Sequence, residues 1–234
     1  MSLTEAGKRW LGSGWLDPLH IAKRSLRRGI ARVAPRLSGR LLDIGCGVKP
    51  YRALFPAVTR YVGIERPGTL SKSGVVDTWA DALALPFADG SFDSVLCSEV
   101  LEHVPEPGQL FAEAARVLKP GGMMILSTPQ TWGVHEPPHD YYRFTRFGLE
   151  HLARRSGFEV LELTPTCGAA AALGQRLSAF LFYGTGVYRV LPLNLLARPF
   201  LAVGQLVWVG IDRIHPWHED PLDHVLLARR GAGR

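Results

Sequence analysis

A doubly wound α/β fold on a largely parallel sheet is predicted by three features of this 234-residue sequence. Short apolar strand-like runs alternate with helical ones, the pattern of a parallel sheet covered on both faces. One such run, Leu41, Leu42 and Ile44, enters a tight turn at Gly45 and Gly47, as a buried strand does where it meets a ligand cleft. The length suits one good core with no second unit, so residues 1–234 are read as a single domain.

Residues 1–40 form a leading basic segment. Lys8, Arg9, Lys23, Arg24, Arg27, Arg28, Arg32, Arg36 and Arg40 face only Glu5 and Asp17, a local +7 in a chain of net charge +6, so the remainder carries −1. Asp17 and Pro18 offer a capping acceptor and a first-turn proline. Leu19, Ala22, Leu26, Ile30 and Val33 then recur at three- and four-residue steps, an apolar helical stripe ending near Pro35. Two uses fit this basic helix. It lies against the sheet and over the cleft with a solvated basic side, or it meets an anionic membrane surface with the help of Trp10 and Trp15.

After the glycine turn a helix is expected from Lys49 and Pro50, then strands at Arg60 to Glu65, Val75 to Trp79 and Phe92 to Ser98. A helix at Gly108 to Leu118, a strand at Met123 to Ser127, a helix at Arg146 to Ser156 and a strand at Phe158 to Leu163 complete the alternation. Residues 168–215 form an apolar helical insert, expected as two helices broken around Gly184 to Pro192, with isolated Arg176, Arg189 and Arg198. It suits a lid, a homodimer surface, or a contact with the bilayer interface shared with residues 8–33. No uncharged apolar run reaches the roughly 18 residues of a membrane span. Leu177 to Tyr188 and Pro199 to Ile211 come nearest.

Cys46, Cys97 and Cys167 are too few for a disulfide framework and read as reduced thiols. The leading MSLTEAGKRW has no apolar core of a secretion signal. Both point to a cytoplasmic protein, with membrane association open through the two segments above.

The ligand follows from the turn. A pyrophosphate cofactor asks for a third small residue, and Pro50 stands there. Asp43 beside the turn repels phosphate and suits an ammonium group. LLDIGCGVKPY resembles motif I of class I S-adenosylmethionine-dependent methyltransferases, and the similarity continues in order. YVGIE ends in Glu65, and WADALALPFADGSFDSVLCSEVLEHV and RVLKPGGMMILSTP resemble the later motifs of the type 11 group, so that roughly Leu41 to Leu163 is covered.

That resemblance implies a Rossmann-like, seven-stranded mixed sheet whose last strand, HVLLAR from His224 to Arg229, is antiparallel. It also implies S-adenosyl-L-methionine as cofactor. Asp43, Gly45, Cys46 and Gly47 would lie on the methionine side, Glu65 on the ribose, Asp81 on the adenine amino group with Ala82 and Leu83 beside the ring, and the Ser98 carbonyl on the ammonium.

Two groups could serve the acceptor. In Glu99-Val-Leu-Glu102-His103 the carboxylates and His103 are expected on one helical face. The spacing is similar to a magnesium site in ubiquinone-pathway and small-RNA O-methyltransferases, and is also common in type 11 members without a metal. No metal is assigned to it, and His103 is kept as a catalytic candidate. The loop VHEPPHDYYRFT, Val134 to Thr145, offers His139 with Asp140 as a base, His135 as a further ligand, and Tyr141, Tyr142 and Phe144 for stacking. An alternative reading is a rigid loop whose polar groups satisfy one another and whose Thr145 caps the next helix.

The function so implied is methyl transfer to oxygen of a small-molecule or lipid-linked glycan acceptor. RNA ribose methylation and a non-catalytic S-adenosylmethionine-binding module are the alternatives, and a nicotinamide dehydrogenase is weakest for want of the third glycine. Nucleic acid is the weaker partner class, since CSEV stands where amino-directed DNA enzymes carry a [DN]-P-P-[YFW] motif.

Overall fold

A computed structural model describes residues 14–68 and 75–231. The first thirteen residues of the basic segment, Lys8, Arg9 and Trp10 among them, lie outside the described residues. The described chain runs α1 (His20–Val33), β1 (Gly39–Ile44), β2 (Val58–Glu65), β3 (Thr78–Trp79), β4 (Phe92–Ser98), α2 (Pro107–Val117) and β5 (Leu118–Pro129). It continues with α3 (Arg146–Arg155), β6 (Phe158–Pro165), α4 (Ala169–Ala179), α5 (Leu191–Ile214) and β7 (Asp223–Arg230). The seven strands lie in the order β3-β2-β1-β4-β5-β7-β6. Only β7 runs antiparallel to its neighbours, so the seven-stranded mixed sheet stands.

Side chains alternate across the sheet, which puts consecutive residues of one strand into different layers. Leu42, Ile44, Val95, Met124 and Leu126 pack under α2 and α3 against Leu110, Phe111 and Leu149. Leu41, Leu96, Ile125 and Leu227 pack on the other face under Leu26, Ile30 and Val33 of α1. The leading helix is therefore a structural layer, its basic side turned to water.

Two buried glutamines fix its entry. Gln175 Oε1 accepts from Ala22 N at 3.0 Å while its Nε2 donates to Pro18 O at 2.8 Å. Gln205 Nε2 donates to Asp17 O at 3.0 Å and its Oε1 accepts from Ile21 N at 3.3 Å. Amides from α4 and α5 thus satisfy first-turn N–H groups of α1 that no intrahelical carbonyl reaches. Asp17 accepts from Leu19 N at 2.9 Å and pairs with Lys23 at 2.6 Å.

The structure corrects three local expectations. No α-helix follows the glycine turn: a single 3-10 turn, Arg52–Leu54, is all that forms before β2. Pro50 and Pro56 enclose too short a stretch for a helix, and Lys49 is left-handed at φ 53°. The third strand shortens to Thr78–Trp79. Glu99, Glu102 and His103 do not share an α-helical face. Glu99 is left-handed at φ 57°, a 3-10 turn covers Leu101–His103, and α2 starts only at Pro107.

The insert breaks at Phe180–Gly184 and Val187–Arg189, as its glycines suggest. Its second helix, however, runs unbroken through Arg198 and Pro199, so Leu191–Ile214 is long and apolar enough to cross a membrane by length and composition. Arg198 is absorbed by bonding Asn194 Oδ1 at 2.7 Å and stacking 5.2 Å from the Phe182 ring centroid.

Candidate active site at the carboxyl edge of the sheet

The carboxyl ends of β1, β2, β3 and β4 bring most of the predicted cofactor residues to one edge, where open α/β sheets take their ligands. Gly45 and Gly47 are left-handed at φ 70° and 50°. A side chain on Gly45 would collide with Val100, whereas nothing lies within 4 Å of where one on Gly47 would stand. The turn is therefore closed on the sheet side and open toward the cleft. Glu65 closes it, its Oε2 accepting from Gly47 N at 3.0 Å and its Oε1 from Arg66 N at 3.2 Å. Ala80 N donates to Glu65 O at 2.9 Å, which sets exposed Asp81 beside it. Asp81 Oδ1 accepts from Leu83 N at 2.9 Å, a turn contact that occupies one oxygen. Ala82 and Leu83 are half-buried against the core, and Ser98 ends β4 with its Oγ 2.8 Å from that of Ser127.

Two of the residues on the methionine side are less available than their positions suggest. Asp43 is buried and accepts from Tyr61 Oη at 2.5 Å. Burial pushes its carboxyl up to about 7. Cys46 is buried as well, and desolvation lifts its thiol to about 12, which makes it an inert wall. Sequence reading missed Tyr61, Lys49 and Asp77. Asp77 Oδ2 accepts from Gly63 N at 2.7 Å and from Lys49 Nζ at 2.5 Å, which pins the turn to β2. Only the apolar–polar alternation within VTRYVGIE hinted at an inward Tyr61.

The loop after β5 folds over the same edge around Arg143. Its guanidinium donates to Asp140 Oδ1 and Oδ2 at 2.7 and 2.9 Å, to Trp132 O and Gly133 O at 2.8 Å each, and to Tyr142 O at 2.7 Å. That guanidinium holds the Asp140 carboxyl down at about 2. Asp140 is consequently committed to Arg143 and to His135 N, and does not orient His139, contrary to the dyad that the sequence suggested. Thr145 does cap α3, accepting from Gly148 N at 3.3 Å.

His139 and His103 do meet. His103 Nδ1 donates to the His139 carbonyl at 2.6 Å, and His139 Nε2 lies 3.3 Å from Arg66 Nη2. An arginine only donates, so Nε2 carries the lone pair and Nδ1–H faces Tyr141 Oη at 3.2 Å. The acceptor loop is thereby stitched to the residue that follows Glu65.

Behind it, Glu102, His103 and His135 bring one carboxylate oxygen and two imidazole nitrogens within 4.8 Å of one another. This donor set suits a divalent transition ion. Glu99, which the sequence grouped with them, turns instead to Ser127 Oγ at 2.8 Å. Burial raises Glu99 to about 7 and Glu102 well above the usual carboxylate range.

Residues 42–126 match the family model described as a methyltransferase domain. The chain is 39% identical over 163 residues to an uncharacterized methyltransferase of Mycolicibacterium paratuberculosis, a match covering 60% of this chain and 64% of that one. It thus spans just under two thirds of that curated relative. Among solved structures it resembles the [4+2]-cyclase SpnF, with TM-score 0.57 and 24% identity over 92% of this chain and 83% of that one. An S-adenosylmethionine-dependent methyltransferase from Mesorhizobium loti superposes with TM-score 0.56 and 19% identity over 90% and 98%. The chain therefore carries a methyltransferase-domain match over residues 42–126 and has the fold of solved S-adenosylmethionine-dependent methyltransferases.

Proposed function

We propose that the chain transfers the methyl group of S-adenosylmethionine to a hydroxyl oxygen of a small-molecule or lipid-linked glycan acceptor. The observation that carries the cofactor is the glycine turn itself, open toward the cleft at Gly47, ringed by the carboxylates of Glu65 and Asp81, and followed by no α-helix. A phosphate finds no helix amino terminus there. A cationic ligand finds acceptors on several sides. Bound in this cleft, S-adenosylmethionine would supply a sulfonium-activated methyl group.

Glu65 is suited to accept from the ribose hydroxyls, Asp81 from the adenine amino group, and the Ser98 carbonyl from the ammonium. Cys46 walls the methionine end. His139 is the general base of this reading, its Nε2 lone pair exchanging the Arg66 contact for the acceptor hydroxyl. His103 is a positioning residue, since its Nδ1–H holds the His139 backbone. Tyr141 and Tyr142 stand exposed beside it, where rings can stack on a sugar face.

His139→Ala is expected to slow turnover roughly hundredfold, the usual share of a general base, with cofactor affinity little changed. Parallel single-turnover and calorimetric measurements check this, and unchanged turnover would remove His139 from the role. The acceptor class is tested by incubation with methyl-labelled cofactor and a glycolipid extract. Alkali-stable label in the glycan fraction supports an ether product. Alkali-labile label, or cofactor binding with no transfer to any acceptor, would overturn the assignment.

A further inference from the structure

We propose that the outer face of α5, with the arginines at its carboxyl end, is a docking surface for an anionic lipid bilayer, on which the helix lies in the plane of the interface. Leu196, Phe200, Val203, Val207 and Ile214 follow one another at three-, four- and seven-residue steps, and all are exposed, Phe200 by 75% and Ile214 by 73%. Over these 19 residues the stripe extends about 27 Å at the α-helical rise. Apolar continuity of that length marks an interaction site and is unusual on a free water-facing surface.

The charges of the helix are sorted to keep this face clean. Arg198 turns inward onto Phe182. Asp212 turns toward α4, its carboxylate accepting from Gly168 N at 2.9 Å and Ala171 N at 3.2 Å. What remains at the carboxyl end is exposed Arg213, whose charge, together with partial burial and the charge of exposed Arg24, depresses the exposed Arg28 guanidinium of α1. None of the three has an ion-pair partner among the described residues. Trp217, 65% exposed, follows at the same end.

Charge complementarity selects the occupant. A second copy of this face would set the same arginines against one another, whereas anionic headgroups neutralise them as acyl chains take up the stripe. The opposite face of α5 is already committed, with Leu201, Ala202 and Gln205 buried and Trp208 packed over Gly174. The helix is therefore seated on the fold from Arg198 to Asp212, which favours lying on the bilayer over crossing it. Trp132, in the loop after β5, joins the cluster of Ile21, Ala171 and Ala172 at the root of the insert, so docking would bring the acceptor loop to the membrane. That last link rests on the methyl-transfer reading above; docking itself does not.

The test is co-sedimentation of the full chain, without cofactor, with phosphatidylcholine vesicles carrying or lacking phosphatidylglycerol. Binding is expected only to the anionic vesicles, to weaken with salt, and to fall several tens of fold in the triple variant Arg24→Gln, Arg28→Gln, Arg213→Gln. Phe200→Glu with Val207→Glu, both exposed and so compatible with folding, should abolish it while calorimetric cofactor affinity persists. Absence of sedimentation, equal binding by the variants, or resistance to alkaline carbonate washing would overturn the proposal. So would a stable dimer in solution that the Phe200→Glu, Val207→Glu pair dissociates. Because vesicle binding and cofactor binding are read separately, failure of one leaves the other measurable.

Discussion

Replacing Glu65 by alanine is expected to weaken S-adenosylmethionine binding by about a thousandfold, the effect of losing the two charge-assisted hydrogen bonds to the ribose that its proposed role gives it. The loss has a second component in the protein. Glu65 Oε2 also holds Gly47 N at 3.0 Å, so without it the open side of the glycine turn loses its tether to β2. Global folding should survive, since the side chain ends a strand at the cleft and is outside both core layers. Titration calorimetry with an unfolding curve alongside separates the two effects. Undiminished affinity in a folded variant would remove Glu65 from the site.

The second large effect concerns Asp43, where burial lifts the folded-state carboxyl from 3.8 to about 7. The unfolded chain binds its proton near the ordinary carboxylate value, so between these pH values the folded state holds more of it. Stability from this group is fully present at low pH and is lost as pH rises through about 7. Asp43→Asn keeps an oxygen for Tyr61 Oη and removes the titration. The stability of the ligand-free protein relative to this variant should therefore fall by about 2 kcal/mol between roughly pH 5 and pH 7. Urea unfolding followed by tryptophan fluorescence gives this difference directly, and a pH-independent difference would contradict the burial account.

The sheet was legible because its strands are continuous apolar runs ended by glycine or acid, as in LLDIG, YVGIE and SVLCSE. The cofactor cluster was legible for the same reason, since residues at the carboxyl ends of adjacent parallel strands must converge. What depends on side-chain direction was not. Asp43 and Glu65 look equivalent in sequence, yet strand alternation sends the first to Tyr61 inside the fold and leaves the second at the cleft. His139 and Asp140 are neighbours in sequence, but the carboxylate is taken by Arg143, three residues on. Helix starts failed where prolines crowd, at Pro50 and Pro56, and at Glu99, whose left-handed backbone no propensity announces. The continuity of α5 was hidden by Arg198 and Pro199, because the Arg198 partners, Asn194 and Phe182, become visible only after folding.

Calorimetric titration of the purified chain with S-adenosylhomocysteine, with a nicotinamide dinucleotide as the competitor, measures the cleft most directly. One molecule of the nucleoside product should bind per chain, unaffected by the dinucleotide and lost in Glu65→Ala. Binding of the dinucleotide in its place would mean that the carboxylate-ringed turn at Gly47 had been assigned to the wrong ligand.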